Sequence, residues 1–362
     1  PLIGGAALYV PIACTLAVLG VGGDTKAWGL LIGGSLVFLC GLADDIRGVS
    51  ARVKVGVQLL GATALIACGF DLEGVGIPSI GVLSIDLPLV EFACIYLWIV
   101  LATNAFNLAD GADGVATSLA LVGLGVLTAG GVPGLVPIAL AGACLGFLYY
   151  NLPKAWIFLG DAGSMLLGFL LAAMALELPV EKNVPLALAA FAYPLGDVVL
   201  AVARRFVRGK PLFAPDRSHL HHKALHYLGS PLRALLAVLV MAGLQALLCV
   251  LWPGPGSLII CALTWVFLGA VLVRLSLTPT KRVFADRKYM RRIHLLQAYV
   301  NASLDQAESR DQVELALRHL QEGLEIQSLV VADMALPSPD ASDPDAEAWR
   351  AADPAPEAPE HV

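Results

Sequence analysis

Residues 28–47 read WGLLIGGSLVFLCGLADDIR. Sixteen residues without a charge run straight into the acid pair Asp44-Asp45. A surface helix of a soluble protein carries polar residues on every turn, whereas this run approaches the ~17–25 apolar residues that a bilayer-spanning helix needs. Two adjacent carboxylates at a membrane exit are costly unless they are solvated, paired or metal-bound. The stretch therefore reads as a membrane helix that delivers two acids to one face of the bilayer, against the plainer reading of a solvated helix end.

The same grammar repeats on either side. Apolar segments cover residues 6–22, 28–43, 55–70, 92–106, 115–131, 135–150, 162–178, 185–203, 232–251 and 257–275. Backbone groups in lipid must be paired within the segment, so helices are expected, and the abundant Ala and Gly permit close helix contact. The whole chain agrees: its 362 residues are 58% hydrophobic and only 14% charged, with a mean hydropathy of +0.77. Soluble domains run at about 45–50% apolar and about 25% charged, so a soluble globular fold is excluded. The expected class is all-α, a polytopic transmembrane bundle of about ten spanning helices.

Four polar islands interrupt the apolar segments. They are Asp44-Asp45 with Lys54; NAFNLADGADG at 104–114; NLPKAWIFLGDAGS at 151–164; and residues 204–222, which end DRSHLHH. They follow segments two, four, six and eight, so they share one side. The short loops on that side hold eleven Lys and Arg, including Arg47, Arg52, Lys154, Arg204, Arg205 and Arg217; the opposite loops hold Lys26 and Lys182. The positive-inside rule then makes the islands cytoplasmic. The net charge of −6 says little about partners, because much of the acid lies in the tail, from Asp340 to Glu360. The seven cysteines are scattered through apolar segments without a CxxC pair and read as small core residues.

Three regions are expected: a transmembrane catalytic domain over 1–277, a basic and amphipathic extension over 278–336, and a disordered acidic Pro/Ala-rich tail over 337–362. The basic run from Arg274 to Arg292 reads as a cytoplasmic anchor against anionic headgroups. Residues 284–325 look helical, and Ser328 to Ala332 reads as a short strand.

Each island has a chemical reading beside a structural one. Lys54 and Gln58 lie four residues apart on one helical face, where Lys54 can meet a phosphate or an aspartate. The second island crowds Asn104, Asn107, Asp110 and Asp113 together with two glycines; carboxylate and amide oxygens suit a hard cation such as Mg²⁺, and the alternative is a capped turn. In the third, Asp161 and Ser164 can cap a helix starting near Met165, while the same helix start offers N–H groups to a phosphate. Trp156 and Phe158 can flank a base but read better as interface aromatics. In the fourth, Arg217, His219, His221 and His222 lack the cysteines and spacing of a zinc site and suit hydrogen bonding to a diphosphate. Asp197, after Pro194 and Gly196, is a further intramembrane acid. No P-loop, Ser-His-Asp set or Rossmann glycine pattern is present. The inventory suits phosphoryl transfer, which needs positioning and charge neutralisation more than covalent chemistry.

DDIRGVSARVKVGVQ, NAFNLADGADG, NLPKAWIFLGDAGS and PLGD…DRSHLHH, in this order and spacing, resemble the motifs of the polyprenyl-phosphate N-acetylhexosamine-1-phosphate transferases. The resemblance covers nearly the whole membrane part. It implies transfer of a sugar-1-phosphate from a UDP-sugar to a polyprenyl phosphate, usually undecaprenyl phosphate, with loss of UMP and a requirement for Mg²⁺ or Mn²⁺. It implies Asn107 and Asp161 as metal contacts, and Asp44, Asp45 and Lys54 as catalytic, one of the aspartates being a disputed base for the lipid phosphate. It places Asp110, Asp113, Asn151, Arg217, His219, His221 and His222 around the nucleotide sugar.

DRSHLHH is similar to the branch that uses UDP-N-acetylglucosamine; the peptidoglycan branch, which uses UDP-MurNAc-pentapeptide, carries a Pro-x-His-His-His run that this chain lacks. The opening PLIGG resembles the stretch after the family's first helix, so a chain starting at Pro1 is expected to lack that helix, with eleven in the full protein. The expected partners are the nucleotide sugar, the polyprenyl phosphate and membrane lipid, with room for a homodimer and no nucleic acid. A secondary transporter would also place charges in a membrane bundle, but its site sits near the midplane, and a non-catalytic scaffold has no need of every acidic position.

Overall fold

The computed structural model of the protein describes residues 3–72, 74–77, 81–132, 134–152, 155–207, 230–252 and 255–277. All ten apolar segments are helical. In chain order the elements are α1 (Gly4–Val21), α2 (Thr25–Arg47), α3 (Ala51–Ala67), strands β1 (Gly74–Ile77) and β2 (Gly81–Ser84), α4 (Pro88–Ala109), α5 (Val115–Gly130), α6 (Leu135–Asn151), α7 (Gly160–Ala175), a 3₁₀ turn (Val180–Lys182), α8 (Asn183–Ala190), α9 (Ala192–Val207), α10 (Pro231–Leu251) and α11 (Pro255–Leu277). Among the described residues, α1, α2, α4 and α10 are long and apolar enough to cross a bilayer unaided, and the pair α8–α9 makes a fifth span if counted as one. The count of ten spanning helices stays an expectation; α5 and α7 each have 16 residues, about 24 Å at 1.5 Å per residue.

The eighth apolar segment is not one helix. It bends by 65° between Ala190 and Ala192. Pro194 explains the break: it has no N–H to give the Ala190 carbonyl, and its ring crowds that oxygen. The indole of Trp265 donates to the Ala192 carbonyl at 3.0 Å beside the bend.

α7 is the axis of the bundle. Every residue from Ala162 to Ala175 is buried, as expected of a helix that is apolar all round and surrounded by others. It packs between α2 and α4, with α1 and α5 also against it. Backbone meets backbone in the contact with α2 at Gly41, where a Cβ would lie 2.6 Å from the Ala162 Cα. Only glycine lets the two backbones approach so far, and three residues later α2 presents Asp44 and Asp45 to the start of α7. At the other end of these helices Lys26 Nζ meets Glu177 Oε1 at 2.8 Å.

The hairpin β1–β2 departs from the all-α expectation. Gly74 pairs with Ser84 and Ile77 with Gly81 in antiparallel register. Its strands, GVGI and GVLS, are too short for a period-two pattern to register in the sequence. A side chain holds them: Asn183 accepts from the Gly76 N–H at 3.1 Å and donates to the Gly74 carbonyl at 2.9 Å. The helix expected at 284–325 and the strand at 328–332 lie outside the described residues.

Candidate active site

Three of the four polar islands meet at one end of the bundle. The C-terminus of α2 brings Asp44 and Asp45, the first turn of α3 brings Lys54, the end of α4 brings Asn107 and Asp110, and the start of α7 brings Asp161. Lys54 Nζ bridges two carboxylates, 2.6 Å from Asp44 Oδ2 and 2.5 Å from Asp161 Oδ2. Asp44 Oδ1 accepts from the Val49 N–H at 2.6 Å, so both of its oxygens are engaged. Of the two targets open to Lys54 in the sequence, a phosphate or the aspartates, the structure has it on the aspartates.

Asp45 does a different job from its neighbour. Its Oδ1 accepts from the backbone N–H of Asp161 at 2.8 Å and its Oδ2 from that of Ala162 at 3.1 Å. These are free N–H groups of the first turn of α7, which a carboxylate satisfies while meeting the positive end of the helix dipole. The cap expected from Asp161 and Ser164 is thus replaced by one from α2, and α7 begins at Gly160 rather than near Met165. Gly160 has φ +72°, and a Cβ there would lie 2.5 Å from Asp45 Oδ2. Ser164 instead donates to Asn107 Oδ1 at 2.8 Å and to the Gly160 carbonyl at 3.0 Å. Asn107 in turn donates to Asp161 Oδ2 at 3.3 Å.

Beside this network opens a cleft of about 360 Å³ lined by Asp45, Asp110, Gly111, Ala112, Asp113, Asn151, Phe158, Leu159, Gly160 and Asp161. Its walls are tied together by polar side chains. Asn151 accepts from the Gly114 N–H at 2.6 Å and donates to the Ile157 carbonyl at 2.8 Å. Asp113 Oδ2 accepts from the Ala155 N–H at 3.1 Å. Phe158 belongs to the cleft wall; Trp156, 74% exposed, is not among the lining residues. Burial pushes the Asp110 carboxyl up to about 7, with Asp161, Asp45 and Asp113 adding repulsion in that order.

Five carboxylates and one ammonium make the site strongly acidic, a poor receptor for an anion by itself. Among the described residues no three His, Cys, Asp or Glu side chains converge into a ready cage for a cation. Mg²⁺ does not require one: it is commonly held by one or two carboxylates, waters and the phosphates of the substrate. The donor set around Asp161 fits that mode. Asn107 fits as well, because its amide can turn its oxygen toward Asp161 while Ser164, whose hydroxyl both donates and accepts, still satisfies the other end.

Arg217, His219, His221, His222 and Lys154 lie outside the described residues. The pairing of Gln58 with Asn104, and of Ser164 with Asn107, escapes the sequence, since it depends on how helices face one another; the four-residue spacing of Lys54 and Gln58 is its one linear trace.

Residues 27–178 match the model of glycosyl transferase family 4. The chain is 31% identical over 238 residues to a probable undecaprenyl-phosphate N-acetylglucosaminyl 1-phosphate transferase of Bacillus subtilis, an alignment covering 63% of this chain and 66% of that protein. It is 31% identical over 284 residues to a decaprenyl-phosphate N-acetylglucosaminephosphotransferase of Mycolicibacterium smegmatis, covering 68% and 70%. A phospho-N-acetylmuramoyl-pentapeptide-transferase of Synechococcus is 35% identical over a shorter 191 residues, 49% of this chain and 55% of that one. The chain thus spans about two thirds of the length of the first two. Matched across the helices that build the cleft, the chain belongs to glycosyl transferase family 4.

Proposed function

We infer that this protein transfers N-acetylglucosamine-1-phosphate from UDP-N-acetylglucosamine to undecaprenyl phosphate or a similar polyprenyl phosphate, releases UMP, and so starts a lipid-linked cell-envelope glycan. The observation that carries the reading is the Lys54 bridge between Asp44 and Asp161 beside an acidic cleft at one end of an apolar bundle. A lipid phosphate can reach such a site from the bilayer and a soluble nucleotide sugar from the aqueous side. The lysine and arginine bias of the loops supports a cytoplasmic site in a bacterial plasma membrane.

Asp161 and Asn107 would hold Mg²⁺, with Mn²⁺ as the alternative ion. Such an ion neutralises charge on the donor diphosphate and on the leaving UMP. Lys54, already between two carboxylates, is placed to exchange one of them for a phosphate oxygen. Asp110, Asp113 and Asn151 shape the wall that receives the nucleotide sugar, and Arg217, His219, His221 and His222 are assigned to its diphosphate. In the reaction a lipid phosphate oxygen attacks the β-phosphorus of the donor, a new P–O bond forms, and the bond to UMP breaks. Direct attack is favoured over an aspartyl-phosphate because the oxygens of Asp44 and Asp45 are already engaged.

The test is purified protein in detergent or lipid with undecaprenyl phosphate, Mg²⁺ and either UDP-N-acetylglucosamine or UDP-MurNAc-pentapeptide. UMP and a lipid product with the first donor are expected. Turnover confined to the second would move the chain to the peptidoglycan branch, and a phosphorylated protein formed from donor alone would replace direct attack with a covalent route.

A further inference from the structure

One helical turn below the Lys54 layer lies a second polar layer to which the chemistry assigns no role. Gln58 is 0% exposed and faces Asn104 across the contact between α3 and α4. Asn104 Nδ2 donates to Gln58 Oε1 at 2.7 Å and to the Val100 carbonyl at 2.7 Å, while Gln58 Nε2 approaches Asn104 Oδ1 at 3.4 Å. Gln58 follows Lys54 by four residues and Asn104 precedes Asn107 by three, so each amide sits on the same helix face as a site residue. Those site residues end on one atom: Lys54 Nζ and Asn107 Nδ2 both donate to Asp161 Oδ2.

Apolar contacts between membrane helices allow small slides and rotations, whereas two opposed amides fix both axial register and facing, because either motion parts the donor of one from the acceptor of the other. We propose that Gln58 and Asn104 are positioning residues for the transfer: their paired amides set α3 against α4 so that Lys54 and Asn107 converge on a single oxygen of Asp161. The proposal deepens the transferase reading and rests on it for its kinetic consequence. Of the donor wall, Asp113 and Asn151 lie off both α3 and α4, so the pair acts on turnover more than on donor affinity.

The experiment compares Gln58→Leu, Asn104→Leu and the exchange Gln58→Asn with Asn104→Gln, in the full chain in lipid nanodiscs. Three quantities are read: kcat and KM for UDP-N-acetylglucosamine, the thermal midpoint, and the rate at which an amine-acylating reagent modifies Lys54, followed by mass spectrometry. Each leucine variant is expected to lose roughly 10- to 100-fold in kcat, the scale of an ångström of misplacement, with KM within about 3-fold of the unmodified protein. Lys54 should be modified roughly 5-fold faster once its two charge-assisted bonds are loosened. The exchange keeps the same two amides and the same total side-chain length, and should restore most of both. Unchanged Lys54 modification in the leucine variants, an exchange no better than the single changes, or losses in kcat that follow the thermal midpoint alone would overturn the positioning role. The labelling reads the geometry even if the unmodified protein releases no UMP, so failure of the transferase reading and failure of this inference are distinguishable.

Discussion

The backbone N–H of Asp161 donates to Oδ1 of Asp45 at 2.8 Å across 116 residues of sequence. The helix end that presents Asp161 is therefore held by the neighbour of the acid that Lys54 joins to Asp161. Removing the cap should cost about 1 kcal/mol, the usual worth of an N-cap acceptor, and should let Asp161 drift. Asp45→Ala is expected to lower both the thermal midpoint and the rate of UMP release. Asp45→Asn keeps one acceptor oxygen and should lower the midpoint less. Circular dichroism melts in detergent, run beside the transfer assay, separate the two.

Gly160 sets the entry into α7. At φ +72° an L side chain is strained by about 1–2 kcal/mol, and its Cβ would meet Asp45 Oδ2. Gly160→Ala is expected to abolish transfer and to lower the thermal midpoint by more than alanine does at Gly142, where a Cβ meets nothing within 4 Å. Equal melts for the two alanine variants would contradict this.

Asp161 and Lys54 form the charged centre. Asp161→Asn keeps the shape and an acceptor for Lys54 but loses the charge. The variant should remain folded and inserted while UMP release falls at least about 100-fold, as for loss of an electrostatic contact to the reacting groups. Lys54→Met leaves the Asp44 and Asp161 carboxylates unbridged and is expected to lose at least as much. Turnover near that of the unmodified protein in Asp161→Asn would remove Asp161 from the metal role.

Asp110 predicts a pH dependence. Its carboxyl titrates near 7 in the folded protein, against an ordinary value of 3.8. A carboxyl raised in this way favours the folded state when protonated. Its contribution to stability is therefore full below about pH 4 and is lost as the pH rises through about 7. In the absence of donor and divalent ion, the thermal midpoint should fall across that window in the unmodified protein and fall less in Asp110→Asn, which should be the more stable of the two at pH 8. Parallel curves for the two proteins would refute the assignment.

The apolar runs disclose the helices because the bilayer imposes one demand on every segment, and the first three islands, expected on one face from alternating exits, meet at one end of the bundle; the fourth lies outside the described residues beyond Val207. Asp44, Asp45, Lys54, Asn107, Asp110 and Asp161 do gather. What the linear chain hides is which oxygen faces which hydrogen. Nothing in the pair Asp44-Asp45 shows that the close approach at Gly41 turns the second acid onto the amides of α7. That Phe158 joins the cleft wall shows only once the loop before Gly160 is folded. The bend at Phe191 follows from Pro194, a local rule, but its 65° angle and the helices packed on either side of it are not written in that rule. The β1–β2 hairpin is tied to the bundle by a distant side chain, Asn183.

α2 and α7 are fastened together near both of their ends, by Asp45 on the amides of Asp161 and Ala162 and by Lys26 on Glu177. The nineteen residue-to-residue steps from Lys26 to Asp45 span about 28 Å of helix, so the two behave as the stiles of a ladder, unable to scissor or slip without breaking a rung. Any motion that admits substrate and releases product then falls to parts mounted on this frame rather than to the frame itself.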